Sequence, residues 1–150
     1  MKRILEDEYI RTDVEANSWR EAVQMAGDIL VQLKECDQEF IYQMVKTVEN
    51  LGPYMILLPD VALFHAPPGE YVHKACLSFV TFKNPVYFTD FDNQRIKCAF
   101  ALGAVDPESH MEMLQQVAML LQDKTFLQTA TNNGTKKDLL MSINNCLSNN

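Results

Sequence analysis

Histidine is the residue type of this chain with the clearest potential for chemistry, and His65 is the most informative of its three copies. It lies in the segment 59–69, after an apolar strand-like run at residues 54–58 and just before two consecutive prolines, Pro67 and Pro68. Because proline fixes φ at about −65° and lacks an N–H donor, the turn after His65 has few accessible conformations. An imidazole held on a rigid loop at a strand end can act as a nucleophile or as a proton carrier.

His110 is the second candidate, because it lies near the start of a predicted helix. Asp106 and Pro107 have the residue types of an N-cap and a first helical position, which places His110 in the first turn. Free N–H groups and the helix dipole favour an anion there, by roughly 0.3–1 kcal/mol at an exposed site. His65 could then carry a phosphoryl group whose oxygens His110 and backbone amides stabilise. On spacing alone, the more common alternative is that His110 is a core histidine on an apolar helix face.

The other polar and thiol residues form weaker constellations. Asp90 and Asp92 resemble a calcium-binding turn but lack its glycine and distal glutamate, so we expect them to be solvated residues between two strands. Cys76 and Cys98 have apolar neighbours and are expected in the core, while His73 is expected to be exposed at the start of a strand. The sequence predicts no metal site, no cofactor site and no glycine-rich nucleotide loop.

Length and composition limit the classes of function. The 150 residues, 47% of them hydrophobic, suffice for one domain with one core, spanning residues 1–150. The net charge of −7 argues against nucleic acid or an anionic membrane as the main partner and favours a basic protein surface. The apolar runs are too short to insert into a membrane, the N-terminus has no signal-like core, and the four cysteines are scattered. We therefore expect a cytoplasmic protein with reduced thiols.

The hydrophobic pattern predicts helices before and after a block of strands. Strands are expected at residues 9–14, 54–58, 73–82 and 95–104. Helices are expected after a capping box at Ser18, from about Asp37 to a stop at Gly52, after Asp106, near residues 124–130, and after a cap at Thr135. The third helix should bury Met111, Leu114, Val117, Ala118 and Leu121. This order, β-α-α-β-β-β-α-α-α, with strands apolar on both faces, predicts a three-layer α/β/α sandwich with a mixed central sheet.

Several segments in this order together resemble one protein family. They are Trp19-x-x-Ala22-Val23-x-x-Ala26-Gly27-x-x-Leu30, Gly52-Pro53-Tyr54, Leu58-Pro59-x-Val61-Ala62-Leu63-x-His65-Ala66, Leu77-Ser78, Pro85-Val86 and Asp106-x-x-x-His110-x-x-x-Leu114. The combination is similar to the EIIA component of the phosphoenolpyruvate-dependent sugar phosphotransferase system (PTS), in the mannitol/fructose-type superfamily and closest to its ascorbate-type branch. It covers almost the whole chain, and the predicted order of elements agrees with that family's fold.

The resemblance implies a phosphoryl carrier. His65 is similar to the family's phosphorylated histidine, which accepts a phosphoryl group from the carrier HPr and passes it to a cysteine of a cognate EIIB, and so indirectly serves the membrane component EIIC. His110 is similar to the second active-site histidine, which assists by hydrogen bonding. An ascorbate-type sugar is favoured. The alternative is an EIIA-like regulatory protein whose histidine phosphorylation signals sugar supply, and a homodimer is a further possibility.

The chain departs from the family pattern next to His65. Many ascorbate-type members have an arginine after the His-Ala pair, where Pro67 stands here. The mannitol branch places an arginine on the helix before the loop, where this chain has Lys46 and Glu49. The missing guanidinium removes a bidentate partner for phosphate. We therefore expect the charge of a phosphoryl group to be neutralised by backbone amides, His110 and residues of the partner.

Overall fold

The computed structural model describes residues 5–148, whose strands form one five-stranded mixed sheet. The strands are β1 (Ile10–Val14), β2 (Ile56–Leu58), β3 (Asp60–His65), β4 (Cys76–Phe88) and β5 (Gln94–Gly103). Their spatial order is β1-β4-β5-β3-β2. The pairs β1–β4 and β3–β5 are parallel, whereas β4–β5 and β2–β3 are antiparallel. The predicted mixed sheet is confirmed.

Helices cover both faces of this sheet. Residues 5–148 contain α1 (Trp19–Gln32), α2 (Gln38–Leu51), α3 (Pro107–Leu121), α4 (Lys124–Thr131) and α5 (Lys136–Ser148), and short 3-10 helices at Asp7–Tyr9 and Gly52–Met55. Along β3, Ala62 and Phe64 pack in one core with α1 and α2, whereas Val61 and Leu63 pack in a second core with α3, α4 and α5. The predicted three-layer α/β/α architecture is confirmed. Within residues 5–148, none of these helices has the length and apolar character to cross a membrane.

The described residues contain one strand more than the predicted order, because β3 forms where the sequence predicts a loop. β2 and β3 form a tight antiparallel hairpin in which Ile56 pairs with Ala62. The turn consists of Pro59 and the start of β3, where Asp60 has a φ of 73°. Aspartate tolerates this left-handed region better than most residues, which makes so short a turn feasible. His65 is therefore the last residue of a strand, and the loop begins only after it.

The helix caps largely follow the sequence. The Ser18 hydroxyl accepts a hydrogen bond from the Glu21 N–H at 3.1 Å, which is half of the predicted capping box, and Thr135 caps α5 in the same way. Asp37 precedes α2 as expected, but its carboxylate makes no cap hydrogen bond. It lies 2.7 Å from Nε2 of the exposed His73 instead.

The predicted apolar face of α3 is correct only in part: Val117 is buried and Leu114 and Leu121 pack partly buried against the core, whereas Ala118 is exposed. The residues that α3 buries are Met113, Gln116, Val117 and Leu120. Met111, predicted to be in the core, is 57% exposed. Apolar residues occur on several sides of this helix, and a polar residue, Gln116, lies in the buried stripe, so periodicity alone does not locate the centre of that stripe.

β4 also differs from its predicted span. It begins at Cys76, after His73, and continues past Phe82 to Phe88. A register shift between Thr81 and Val86 accommodates Pro85, which would otherwise remove a hydrogen bond from the ladder.

Candidate active site

The sheet topology brings His65 and His110 to the same edge. β3 and β5 are adjacent and parallel, and His65, the last residue of β3, pairs with Leu102 of β5. β5 ends at Gly103 and α3 begins at Pro107, so the chain passes almost directly from β5 into the helix that carries His110. Crevices at the carboxyl ends of parallel strands are the usual ligand sites of open α/β sheets.

The alternation along β3 directs His65 toward α3. Val61 and Leu63 both face the core formed with α3, α4 and α5, and residues two apart on a strand share a face. His65 continues this series, and His110 is close enough to lower the pKa of His65. The strand period thus aims one imidazole at the helix that carries the other.

Both histidines line one cleft of about 430 Å³. Its other lining residues are Thr47 and Leu51 of α2, Ala66, Pro67 and Pro68 after β3, and Ala104, Asp106 and Pro107 before and at the start of α3. Among the described residues that line it, the titratable groups are His65, His110 and Asp106, and neither lysine nor arginine contributes. Of the cations near α2, Lys46 lies over the Tyr42 ring at 5.4 Å, and Arg20 pairs with Glu49 at 2.9 Å.

The environment of His65 favours the neutral imidazole. Burial is the largest effect and lowers the pKa of His65 below its usual value, and His110 lowers it further. The Leu63 carbonyl acts in the opposite direction, although the buried Nδ1 of His65 makes no hydrogen bond of ordinary geometry with the described residues. Since Nδ1 is buried, Nε2 is the ring nitrogen that can face the cleft. A neutral imidazole with an accessible nitrogen lone pair is a competent nucleophile.

Comparison with known proteins places this chain in a family. Residues 3–146 match the family model described as phosphoenolpyruvate-dependent sugar phosphotransferase system, EIIA 2. The chain belongs to this family. It is therefore an EIIA-type phosphotransferase of the sugar PTS. It is 34% identical over 122 residues to the ascorbate-specific PTS system EIIA component of Salmonella choleraesuis, which covers 81% of this chain and 79% of the relative.

Solved structures agree with the EIIA assignment. The mannitol-specific cryptic phosphotransferase enzyme IIA CmtB of Escherichia coli matches with a TM-score of 0.85 and 27% identity, covering 95% of this chain and 96% of that one. The Escherichia coli mannitol enzyme IIA, solved in complex with phosphorylated enzyme IIB, matches with a TM-score of 0.80 and 20% identity, covering 94% and 97%. At that identity the second likeness concerns the fold alone.

The start of α3 in this EIIA chain differs from the sequence expectation of free amides. Asp106 and Ser109 form a reciprocal capping box, in which the Ser109 N–H donates to Asp106 Oδ1 at 2.7 Å. This hydrogen bond holds the Asp106 pKa below its usual value, so the carboxylate stays ionised at neutral pH. The His110 N–H donates to the Asp106 carbonyl at 3.1 Å, and Pro107 has no N–H. Asp106 therefore already uses much of the anion-binding capacity predicted for this helix start.

The other residues considered in the sequence lie outside the cleft. His73 is exposed, as predicted, and Cys76 and Cys98 are both 0% exposed core residues. Asp90 lies in the β4–β5 turn, where its carboxylate accepts a hydrogen bond from the Trp19 indole at 2.9 Å. In residues 5–148, no group of three or more His, Cys, Asp or Glu side chains is arranged to hold a metal ion.

Sequence reasoning missed part of the cleft of this EIIA chain. Thr47, Leu51 and Ala104 line it, and Leu51 is 56% exposed although helical periodicity assigns it to the core. The available signal was its position as the last residue of α2, immediately before Gly52, because a residue at a helix end can project beyond the core that the rest of the helix packs against.

Proposed function

We propose that this EIIA chain acts in the cytoplasm, as one domain, as a phosphoryl carrier for sugar uptake. His65 accepts the phosphoryl group from phospho-HPr and passes it to a cysteine of a cognate EIIB. The observation that carries the proposal is that His65 and His110 line the same cleft at the carboxyl ends of β3 and β5. The ascorbate-specific relative favours ascorbate or a similar sugar acid as the transported substrate.

In the accepting step, the Nε2 lone pair of neutral His65 attacks the phosphorus of the donor's phosphohistidine. A new N–P bond forms as the donor's N–P bond breaks, and its electron pair stays with the departing imidazole. For Nε2 to carry the lone pair, Nδ1 of His65 must carry the proton of the neutral ring. The nearby Leu63 carbonyl raises the pKa of His65, but burial has the larger effect and lowers it, which favours this neutral ring. Such transfers need positioning and charge stabilisation more than other protein chemistry.

In the donating step, a thiolate of EIIB attacks the same phosphorus, and His65 leaves as a neutral imidazole. The Escherichia coli mannitol enzyme IIA, of the same fold, has been solved with phosphorylated enzyme IIB, which supports an EIIB as the acceptor. Since His65 is only half-buried, a partner's nucleophile can approach it through the open side of the cleft.

His110 is assigned the supporting role. Its backbone is fixed in the first turn of α3 by the hydrogen bond to the Asp106 carbonyl, so its imidazole is held beside the cleft. From there it donates a hydrogen bond to a phosphoryl oxygen in the transition state. Because the cleft residues supply no lysine or arginine, further neutralisation comes from cations of the partner, which an acidic chain of net charge −7 attracts.

The test is phosphorylation by phosphoenolpyruvate, enzyme I and HPr, with the product passed to a purified ascorbate-type EIIB. His65 should take up an acid-labile, base-stable label, and His65→Ala should take up none. His73→Ala is the matched control, because His73 is exposed outside the cleft and should leave labelling intact. Undiminished labelling of His65→Ala would overturn the proposal. Labelling of His65 without transfer to any EIIB would favour the regulatory alternative.

A further inference from the structure

The wall of the cleft that follows His65 has few amide donors of its own to hold it in place. Ala66, Pro67 and Pro68 form this wall, and neither proline has an N–H group. The prolines restrict φ but do not fix where the segment lies relative to the sheet. At the two prolines, its position must therefore be set through carbonyl oxygens and through side chains packed against them.

Tyr71 makes both kinds of contact with this segment. Its hydroxyl donates a hydrogen bond to the Pro67 carbonyl oxygen. Its ring lies so close to Gly69 that a Cβ added there would be 2.5 Å from Cε2 and 2.9 Å from Cζ. Only glycine leaves room for such an approach, so Gly69 and Tyr71 form a matched pair.

Tyr71 is itself anchored to the connection between α1 and α2. Its carbonyl accepts a hydrogen bond from the Asp37 N–H at 2.8 Å, and its ring stacks on Phe40 with centroids 6.2 Å apart. Phe40 is fully buried, and the next residue, Val72, forms a β-bridge with Cys36. A rigid part of the fold thus holds Tyr71, and Tyr71 holds the cleft wall.

We propose that Tyr71 is a positioning residue for His65, which acts by fixing the Pro67–Pro68 wall through the Pro67 carbonyl and the contact with Gly69. This inference rests on the proposed phosphoryl-carrier function. Tyr71 does not contact the reacting atoms. The wall it holds keeps water from the His65 ring and sets the opening through which a donor's phosphoryl group reaches Nε2, so loosening it misaligns the transfer.

The pKa of His65 gives a second measure of the position of this wall, and it does not depend on phosphoryl transfer. Burial is the largest cause of the lowered pKa of His65, and because the wall lines the same cleft, we expect it to supply part of that burial. The other titratable groups lining the cleft are His110 and Asp106, both on α3 or its cap, and a change at Tyr71 leaves them in place. Loosening the wall should therefore raise the pKa of His65 toward its usual value.

The experiment compares Tyr71→Phe, which keeps the ring and removes the hydroxyl, with Tyr87→Phe. Tyr87 is exposed on β4 and pairs with Arg95, near the opposite end of β5 from the cleft. NMR titration of the His65 ring nitrogens should show a higher midpoint in Tyr71→Phe only. The kcat for phosphorylation by phospho-HPr should fall about 3- to 10-fold with little change in KM, as for loss of one hydrogen bond.

A second pair of variants tests the contact with Gly69. Gly69→Ala should reproduce both effects, because its methyl group displaces the Tyr71 ring, and it should add nothing in a Tyr71→Ala background. Tyr71→Phe with the midpoint and kcat of the Tyr87→Phe control would overturn the proposal, and so would a shifted midpoint with normal kcat. If the unaltered chain takes up no label, the carrier function is refuted. The role of Tyr71 is tested separately by the titration, and it is refuted if the His65 midpoint of Tyr71→Phe equals that of the unaltered chain.

Discussion

Two clusters of polar groups lie near opposite ends of β5, and they differ in how fully their groups are paired. At the β4–β5 turn, the Asp90 carboxylate accepts from the Trp19 indole at 2.9 Å, and Arg20 bridges Asp90 at 3.4 Å and Glu49 at 2.9 Å. At the other end, His65 has a buried Nδ1 without a hydrogen-bond partner among the described residues. The described residues lining its cleft include a carboxylate and no lysine or arginine.

The difference separates a structural cluster from a reactive one. The turn cluster satisfies each of its groups within the chain, and Arg20 also lies 4.3 Å from the Trp19 ring centroid. These contacts stabilise the fold, and the exposed ion pairs do so weakly. In the cleft, the imidazole of His65 has a lowered pKa, and under the proposed function its phosphoryl group would need cations that the described lining residues do not supply. Such incomplete pairing is expected where a ligand or partner completes the site.

The largest expected effect of a single change in the cleft beyond His65 itself is that of His110→Ala. Loss of the hydrogen bond to the phosphoryl group should slow transfer to EIIB by about 100-fold without abolishing phosphorylation of His65. Rapid-quench measurement of transfer from the phosphorylated chain gives this rate. His110→Gln is the matched control, since its amide can still donate and should recover part of the rate. A normal rate for His110→Ala would mean that His110 is only a packed histidine.

The turn cluster should respond in the opposite way. Trp19→Phe removes the indole N–H and part of a ring that is 1% exposed, so the free energy of unfolding should fall by about 1–3 kcal/mol. Urea denaturation measures this loss, and the phosphorylation rate of the folded chain should be unchanged. Asp90→Asn, which keeps an acceptor for the indole, should cost less. A Trp19→Phe protein that is fully stable but slow in transfer would reverse the proposed division between the two clusters.

The fold and the candidate site could be predicted from the sequence only in part. Periodicity and capping residues correctly predicted the layers, the helix starts after Ser18 and Asp106, and the position of His110 in the first turn of α3. β3 was missed because Pro59 ends β2 after three residues, and a turn as short as this one leaves no loop composition to detect. The charge state of the cleft could not be predicted, because it depends on which side chains from α2 and α3 meet across the sheet edge.

The pH profile should also separate the reactive histidine from an ordinary one. The nucleophile is the neutral ring, and burial holds the pKa of His65 below the usual value of about 6.5. The midpoint of the decline in phosphorylation rate on the acid side should therefore lie below about 6.5. Initial rates between pH 5 and 8, with the donor phosphorylated in advance, give the midpoint. A midpoint at or above about 6.5 would contradict the burial effect.

The smallest expected effect concerns the missing cation. It tests whether a cation at position 67 stabilises the phosphorylated form. Pro67 lines the cleft, so Pro67→Arg should place a guanidinium near the phosphoryl group. Part of its effect should be lost to Asp106, which also lines the cleft and remains ionised at neutral pH. We expect a several-fold longer lifetime of the phosphorylated form, since arginine is pre-organised to bind phosphate oxygens.

Transfer from phospho-HPr should also depend less steeply on salt. The unaltered chain relies on cations of the partner, and salt screens their attraction beyond about 10 Å at 0.1 M ionic strength. Pro67→Gln controls for the loss of proline without added charge. Lifetimes and salt slopes that are equal in all three proteins would mean that position 67 does not reach the phosphoryl group, and that the cleft obtains its compensating charge elsewhere.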